Sequence, residues 1–195
     1  MIWTKRLLIR RICRNDWRAV REIWAEVNKT PYAQYDRPND TDDASVIERV
    51  GIWASFAESG EHRFYAVCLN DRVIGFVALH QREDSGGVAA SDVGGPETGA
   101  VYEIGYSFHP AYHGKGYAKE SIFRILALLA SEGAAFVEAG TALANTPSVK
   151  LLASLGFTLV RTEKVSFYKD ENGRDIVFDG GIFVWRPQGA DVDAG

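Results

Sequence analysis

The chain has 195 residues, of which 46% are hydrophobic, 25% charged and 12% aromatic, and its formal net charge is −4. That length and apolar content suit one globular domain with a continuous core. The acidic balance weighs against a nucleic-acid protein, because binding a phosphate backbone needs a concentrated basic surface.

Cys13 and Cys68 are too few and too separated for a disulfide scaffold or a C-x-x-C pair, and read as reduced, mostly buried thiols. The opening "MIWTKRLLIRRICR" is basic, but it alternates like a strand and lacks the small-residue cleavage site of a signal peptide. The apolar run from Ile122 to Ala130 is too short to cross a bilayer. The expectation is a cytoplasmic protein, monomer or homodimer, that engages neither nucleic acid nor membrane.

Along the chain, "RLLIRRI" reads as a first strand. Asn15 or Asp16 then stands where a helix cap belongs, before Trp17, Val20, Ile23, Trp24 and Val27 at helical spacing. "KTPYAQYDRPNDTDD" carries two prolines and a run of aspartates and should be a loop. A second helix follows with Val46, Val50, Trp53 and Ala57 on one face, started by Thr41, Asp42 or Ser45. The strands "RFYAVCL" and "RVIGFVALH" are joined by Asn70 and Asp71, a hairpin turn. Residues 81–99 hold five glycines and little apolar content, the mark of an insertion whose order is left open.

"AVYEIGYSF" reads as a strand leading into "HPAYHGKGYAKES", and a helix follows with Ile122, Ile125, Leu126 and Leu129 on one face. "AAFVEAGTA" is an apolar strand, and "NTPSVKLLASLGF" a short helix running from Asn145 to Gly156. "TLVRTEKVSFYK" and "DIVFDGGIFVWR" flank "DENG", another hairpin signature. The expected fold class is α/β: one domain over 1–187, with 188–195 a frayed, disordered tail and no internal repeat.

The glycines of "HGKGYA" are the first chemical signal. Gly114 and Gly116 let the backbone approach a ligand and adopt positive φ. The N–H groups of a first helical turn lack internal partners and carry the positive end of the helix dipole, so the two features together suit a pyrophosphate. A plain turn accounts for the same letters. A Rossmann fingerprint is absent, as is a P-loop, and His62, His80, His109 and His113 show no metal-ligand spacing.

The order meander, strand, glycine turn, long helix, strand, "N-x-x-S" and "LGF" resembles the GNAT superfamily of acyl-CoA-dependent N-acyltransferases. "TKRLLIRRICRNDW", "YEIGYSFHPAYHGKGYAKES" and "NTPSVKLLASLGF" are most similar to the branch holding the ribosomal-protein alanine N-acetyltransferases, and the likeness spans Lys5 to Pro187. The resemblance implies a mixed, mostly antiparallel sheet splayed between two strands, with helices on both faces. It implies acetyl-CoA as cosubstrate, no metal, and direct acetyl transfer to a small-molecule or peptide amine without a covalent enzyme intermediate. A non-catalytic acyl-CoA sensor is the alternative.

By the same likeness, backbone groups of Ser107 and Phe108 would hold the pantetheine arm. His113, Gly114, Lys115, Gly116, Tyr117, Ala118 and Lys119 would receive the pyrophosphate, with His113 standing where the family has Gln or Arg. Asn145 matches the asparagine that contacts the cofactor arm, and as a helix cap it has a structural explanation too.

Glu103 is the candidate base, expected to be desolvated on a central strand near an apolar cleft, with a structural ion pair as its other reading. Glu120, in a first helical turn, ranks behind it. The phenol that many members carry four residues before the "GF" glycine is replaced by Leu152, and the resembled branch offers Ser148 as proton donor instead. Acceptor contacts are expected from the acidic loop, at Tyr32, Tyr35 and Asp36.

Overall fold

Strand alternation and helical spacing carry most of the chain into the elements they suggest. The computed structural model describes residues 1–35, 38–56, 60–82, 99–166, 169 and 172–187. Asp36, Ala57, Tyr168, residues 83–98 and the tail from 188 lie outside the described residues.

The chain runs β1 (Ile2–Trp3), β2 (Leu7–Arg11), α1 (Trp17–Val27), α2 (Asp43–Ser55), β3 (His62–Leu69), β4 (Arg72–Arg82) and β5 (Ala100–Phe108). It continues through α3 (Tyr117–Ser131), β6 (Ala134–Ala142), α4 (Thr146–Ser154), β7 (Thr158–Val165) and β8 (Phe178–Trp185). These strands form one mixed sheet in the order β1-β2-β3-β4-β5-β6-β8-β7, open at both edges. Neighbours are antiparallel except β5 and β6, which are parallel and joined through α3, the crossover a parallel pair requires.

That one parallel pair is short. Its register runs from Ala100 opposite Ala134 to Glu103 opposite Glu138 and stops. Beyond it, β5 stays on β4 as far as Phe108 opposite Gly75, and β6 stays on β8 as far as Ala142 opposite Gly180. A gap therefore opens in the middle of the sheet, which is the splay the resemblance implies.

Helices cover both faces. Val20, Ile23 and Trp24 of α1 and Val46 and Val50 of α2 are buried against Phe64, Ala66, Cys68 and Phe76. Trp53 stacks on Phe64 at 4.8 Å and meets Trp24 edge-on at 5.6 Å. On the other face Ile122, Ile125, Leu126 and Leu129 of α3 and Leu152 of α4 are buried on the sheet. Each such aliphatic side chain contributes about 1.5–3 kcal/mol relative to exposure. Among the described residues, no helix is long and apolar enough to cross a membrane.

Three local expectations are corrected. A short strand, Ile2–Trp3, precedes the one expected, pairing back on β2. Cys13 is exposed, and only Cys68 is buried. Asp16 precedes α1 but does not cap it: its carboxylate takes two hydrogen bonds from Arg10, each 2.7 Å, and one from the Cys13 N–H at 2.8 Å. At α2, Asp42 is the cap and accepts from the Ser45 N–H at 3.2 Å.

Burial pushes the Asp16 carboxyl up, yet the Arg10 and Cys13 hydrogen bonds prevail and hold it below the usual carboxylate range. A lowered folded-state pKa stabilises the protein above the unfolded value, and the contribution is lost as pH falls through the folded value. Asp16→Asn should therefore cost about 2 kcal/mol near neutral pH, by leaving Arg10 without its anion. Urea denaturation of both proteins across pH should show that difference shrinking below about pH 4; a difference independent of pH would mean the pair carries none of the stability.

Candidate functional site

The gap between β5 and β6 ends at the glycine loop. Polarity along β5 is fixed by the His109 N–H, which donates to the Ile74 carbonyl at 2.9 Å on the β4 side. Backbone groups of an antiparallel strand alternate in direction, so in this register Ser107 bonds toward Phe76 of β4. Tyr106 and Phe108 direct theirs into the gap. Of the two residues expected to hold a cofactor arm through their backbone, Ser107 therefore faces β4 and Phe108 faces the gap, together with Tyr106.

A 3-10 turn over Pro110–Tyr112 leads to Gly114 at φ +71° and Gly116 at φ +80°, left-handed values open to glycine at little cost. The first helical bond of α3 runs from the Glu120 N–H to the Gly116 carbonyl at 3.0 Å. Among the described residues, the amides from Gly114 to Lys119 find no partner. Consecutive free N–H groups at a helix N-terminus form a concavity suited to an anion.

The side chains of this loop do other work. His113 donates its Nε2–H to the Phe108 carbonyl at 2.8 Å, fastening the loop to the end of β5. Lys115 folds back to the Ala111 carbonyl at 2.9 Å, and Lys119 is exposed. Tyr117 and Ala118 pack against the core. Glu120 is not a spare carboxylate: Arg6 meets it at 2.7 Å and the Thr4 hydroxyl donates to it. Burial pushes its carboxyl up, but the Thr4 and Arg6 bonds win and hold it below the usual range. Spacing along the sequence gives no sign of that contact.

On the α3/α4 face, Asn145 caps α4 by accepting from the Ser148 N–H at 3.4 Å. The Ser148 hydroxyl lies 2.8 Å from the hydroxyl of Tyr106. Burial pushes the Tyr106 phenol up, with the Ser148 bond pulling the other way. Either hydroxyl of this pair can donate to the other, and a serine proton shared with the phenol oxygen is what pulls the phenol down. Tyr106 was missed from sequence, although it sits in the strand that drew attention to Glu103. Leu152, where the family's phenol would stand, is fully buried.

On the opposite face, the register sets His62, His80, Glu103 and Glu138 in one row across β3, β4, β5 and β6. Glu103 is exposed rather than desolvated, with a side chain 52% accessible, and Arg82 lies 3.5 Å from it. Glu138 is the buried carboxylate of the row, 3.2 Å from the same arginine nitrogen. His62 and His80, far apart in sequence, approach to 3.1 Å, and burial followed by the His62 charge pushes His80 down.

Tyr35 packs edge-on against Phe178 at 5.7 Å, so the loop after α1 touches the start of β8. Asn28 closes the base of that loop with two bonds to the backbone of Asn39. Tyr32 is exposed on the same loop. Asp36 lies outside the described residues.

The family model for the acetyltransferase (GNAT) domain matches residues 6–158. The ribosomal-protein-S5-alanine acetyltransferase of Vibrio fischeri is similar in structure, with a TM-score of 0.74 at 16% identity over 96% of this chain and 97% of that one. An acetyltransferase from Salmonella typhimurium that modifies the N-terminal serine of ribosomal protein L7/L12 gives 0.72 at 15% identity, over 95% and 97%. The Salmonella typhimurium protein yncA, solved with its cofactor acetyl-CoA, gives 0.66 at 23% identity, over 98% and 100%. No curated protein sequence matches the chain.

Removing the serine partner offers a direct check on the paired hydroxyls. Ser148→Ala takes away the one bond that lowers the Tyr106 phenol, so its pKa should move further above the ordinary value of about 10. Carbon-13 tyrosine NMR across alkaline pH reads that shift, and an unmoved titration would mean the hydroxyls do not meet in solution.

Proposed function

The chain belongs to the GNAT acetyltransferase family, and from that premise we propose that it moves the acetyl group of acetyl-CoA directly onto a primary amine, with no covalent enzyme intermediate. The observation that carries this reading is the continuity of the gap with the loop. A strand edge left without a strand partner at Tyr106 and at the Phe108 N–H suits the amides of a pantetheine arm, and six unpartnered N–H groups from Gly114 to Lys119 suit its diphosphate. Asn145, capping α4 beside the same gap, has its side-chain amide left to contact that arm.

When bound, acetyl-CoA supplies a thioester whose carbonyl carbon the amine attacks. A backbone N–H of β5 facing the gap polarises that carbonyl. Glu103, on the α1/α2 face, takes the proton that an ammonium must lose before it can attack. Ser148, on the α3/α4 face with Tyr106 behind it, donates a proton to the departing sulfur. The acceptor enters beside Tyr32 and Tyr35, between the first two helices and the terminal hairpin. Neighbours that act on ribosomal proteins S5 and L7/L12, and one that acts in microcin C7 self-immunity, support either a protein N-terminus or a small amine as the acceptor. The catalytic unit spans residues 1–187.

Two observations favour a second reading. Glu103 is exposed and ion-paired with Arg82, and Leu152 supplies no phenol, as a sensor that binds acyl-CoA without turnover would allow. A free-thiol release assay over a panel of amines, including peptides with N-terminal alanine or serine, separates the two. Thiol release that depends on the amine supports the enzyme, whereas a melting point raised by acetyl-CoA with no release supports the sensor. With an acceptor in hand, Glu103→Gln should lower kcat/KM by about 100-fold, with part of the loss recovered at high pH where the amine is already neutral. A pH–rate profile unchanged by the substitution removes Glu103 from the mechanism.

A further inference from the structure

The N-terminal turn between β1 and β2 has no part in the reading above, yet its side chains close on the anion cradle. Arg6 donates its Nε–H to Glu120 Oε2 at 2.7 Å and its Nη1–H to the Lys115 carbonyl at 3.0 Å. Its backbone N–H reaches Glu120 Oε1 at 2.9 Å, and the Thr4 hydroxyl donates to that same oxygen. The guanidinium carbon lies 4.4 Å above the Tyr117 ring. Lys115, Tyr117 and Glu120 all belong to the loop or to the first turn of α3.

Two consequences follow from these contacts. In a trans peptide the carbonyl and the next N–H point in opposite directions, so holding the Lys115 carbonyl toward Arg6 aims the Gly116 N–H away from it. The positive φ of Gly116, +80°, favours glycine at the position where the guanidinium closes on the loop. The second consequence is electrostatic. Glu120 sits where an uncompensated carboxylate would repel an anion bound at the same helix end. Arg6 and Thr4 turn that carboxylate aside, and Arg6 offsets its charge.

We propose that Arg6 is a positioning residue for the diphosphate of coenzyme A, setting the Lys115–Gly116 peptide and neutralising Glu120 so that the cradle presents donors without net negative charge. The inference rests on the acetyl-CoA reading and extends it to a segment more than a hundred residues away in sequence. Its signature is selectivity within the ligand: the phosphate-bearing half should sense Arg6, and the pantetheine half should not.

The test is isothermal titration of the full chain with coenzyme A and with pantetheine, at one fixed ionic strength. Arg6→Ala should weaken coenzyme A about tenfold while pantetheine stays within about twofold of wild type. Arg6→Lys, which keeps the charge but not the fork of donors, should fall between. Adding Glu120→Gln to Arg6→Ala should recover part of the loss, because the unpaired negative charge is gone. The inference is overturned if Arg6→Ala binds coenzyme A like wild type, if it loses both ligands equally, or if the double variant binds more weakly still. Should Arg6→Ala fail to fold, Arg6→Lys carries the same comparison, and equal losses for both ligands, or none, overturn the inference. Wild-type protein that binds no coenzyme A overturns the cofactor reading itself, a result distinct from a variant that matches wild type.

Discussion

Everything at the site depends on two parallel strands that separate. β5 and β6 share backbone pairing only as far as Glu103 and Glu138, after which each keeps its outer neighbour and loses its inner one. Unpaired backbone donors and acceptors inside a sheet must find water or a ligand, so the parting creates an edge where none would otherwise exist. The glycine loop begins where that edge ends, and His113 ties the two together through the Phe108 carbonyl. Strand edge and anion cradle are consequently one continuous surface.

Alternation along β5 divides the labour around that surface. Side chains at Glu103 and Ser107 face α1 and α2, while those at Tyr102, Ile104, Tyr106 and Phe108 face α3 and α4. In the proposed reaction, proton removal from the acceptor and proton delivery to the sulfur thus fall on opposite sides of one strand. The acceptor side carries a row of titratable groups with Arg82 between two carboxylates. The sulfur side carries two neutral hydroxyls, one on the strand and one on the helix capped by Asn145. Water access differs accordingly, since Glu103 is exposed and Tyr106 is half-buried against the core.

Much of this was legible in sequence, and what was not shares a physical cause. The limits of β5 and β6 match their apolar runs, and the loop glycines stand at the helix entrance where they were expected. Those features depend on local periodicity, turn chemistry and helix-end donors. Glu103 shows the boundary: alternation gave its face, but its partner Arg82 comes from the neighbouring strand through register. Asp16 looked like a cap because caps are local, and an arginine six residues earlier drew its carboxylate away. Tyr106 with Ser148, and Arg6 with Glu120, join residues far apart in sequence whose meeting depends on how the sheet parts. No spacing rule along the chain encodes that geometry.

The central claim is that the parted strands and the glycine loop together hold one coenzyme A molecule. Amide NMR of nitrogen-15-labelled protein titrated with coenzyme A tests it most directly, because the unpartnered donors themselves are the probes. The account predicts the largest shifts at the amides of Gly114 to Lys119, joined by Tyr106 and Phe108 along the gap. Saturable shifts centred elsewhere, or a loop whose amides stay unmoved while coenzyme A binds, would contradict it.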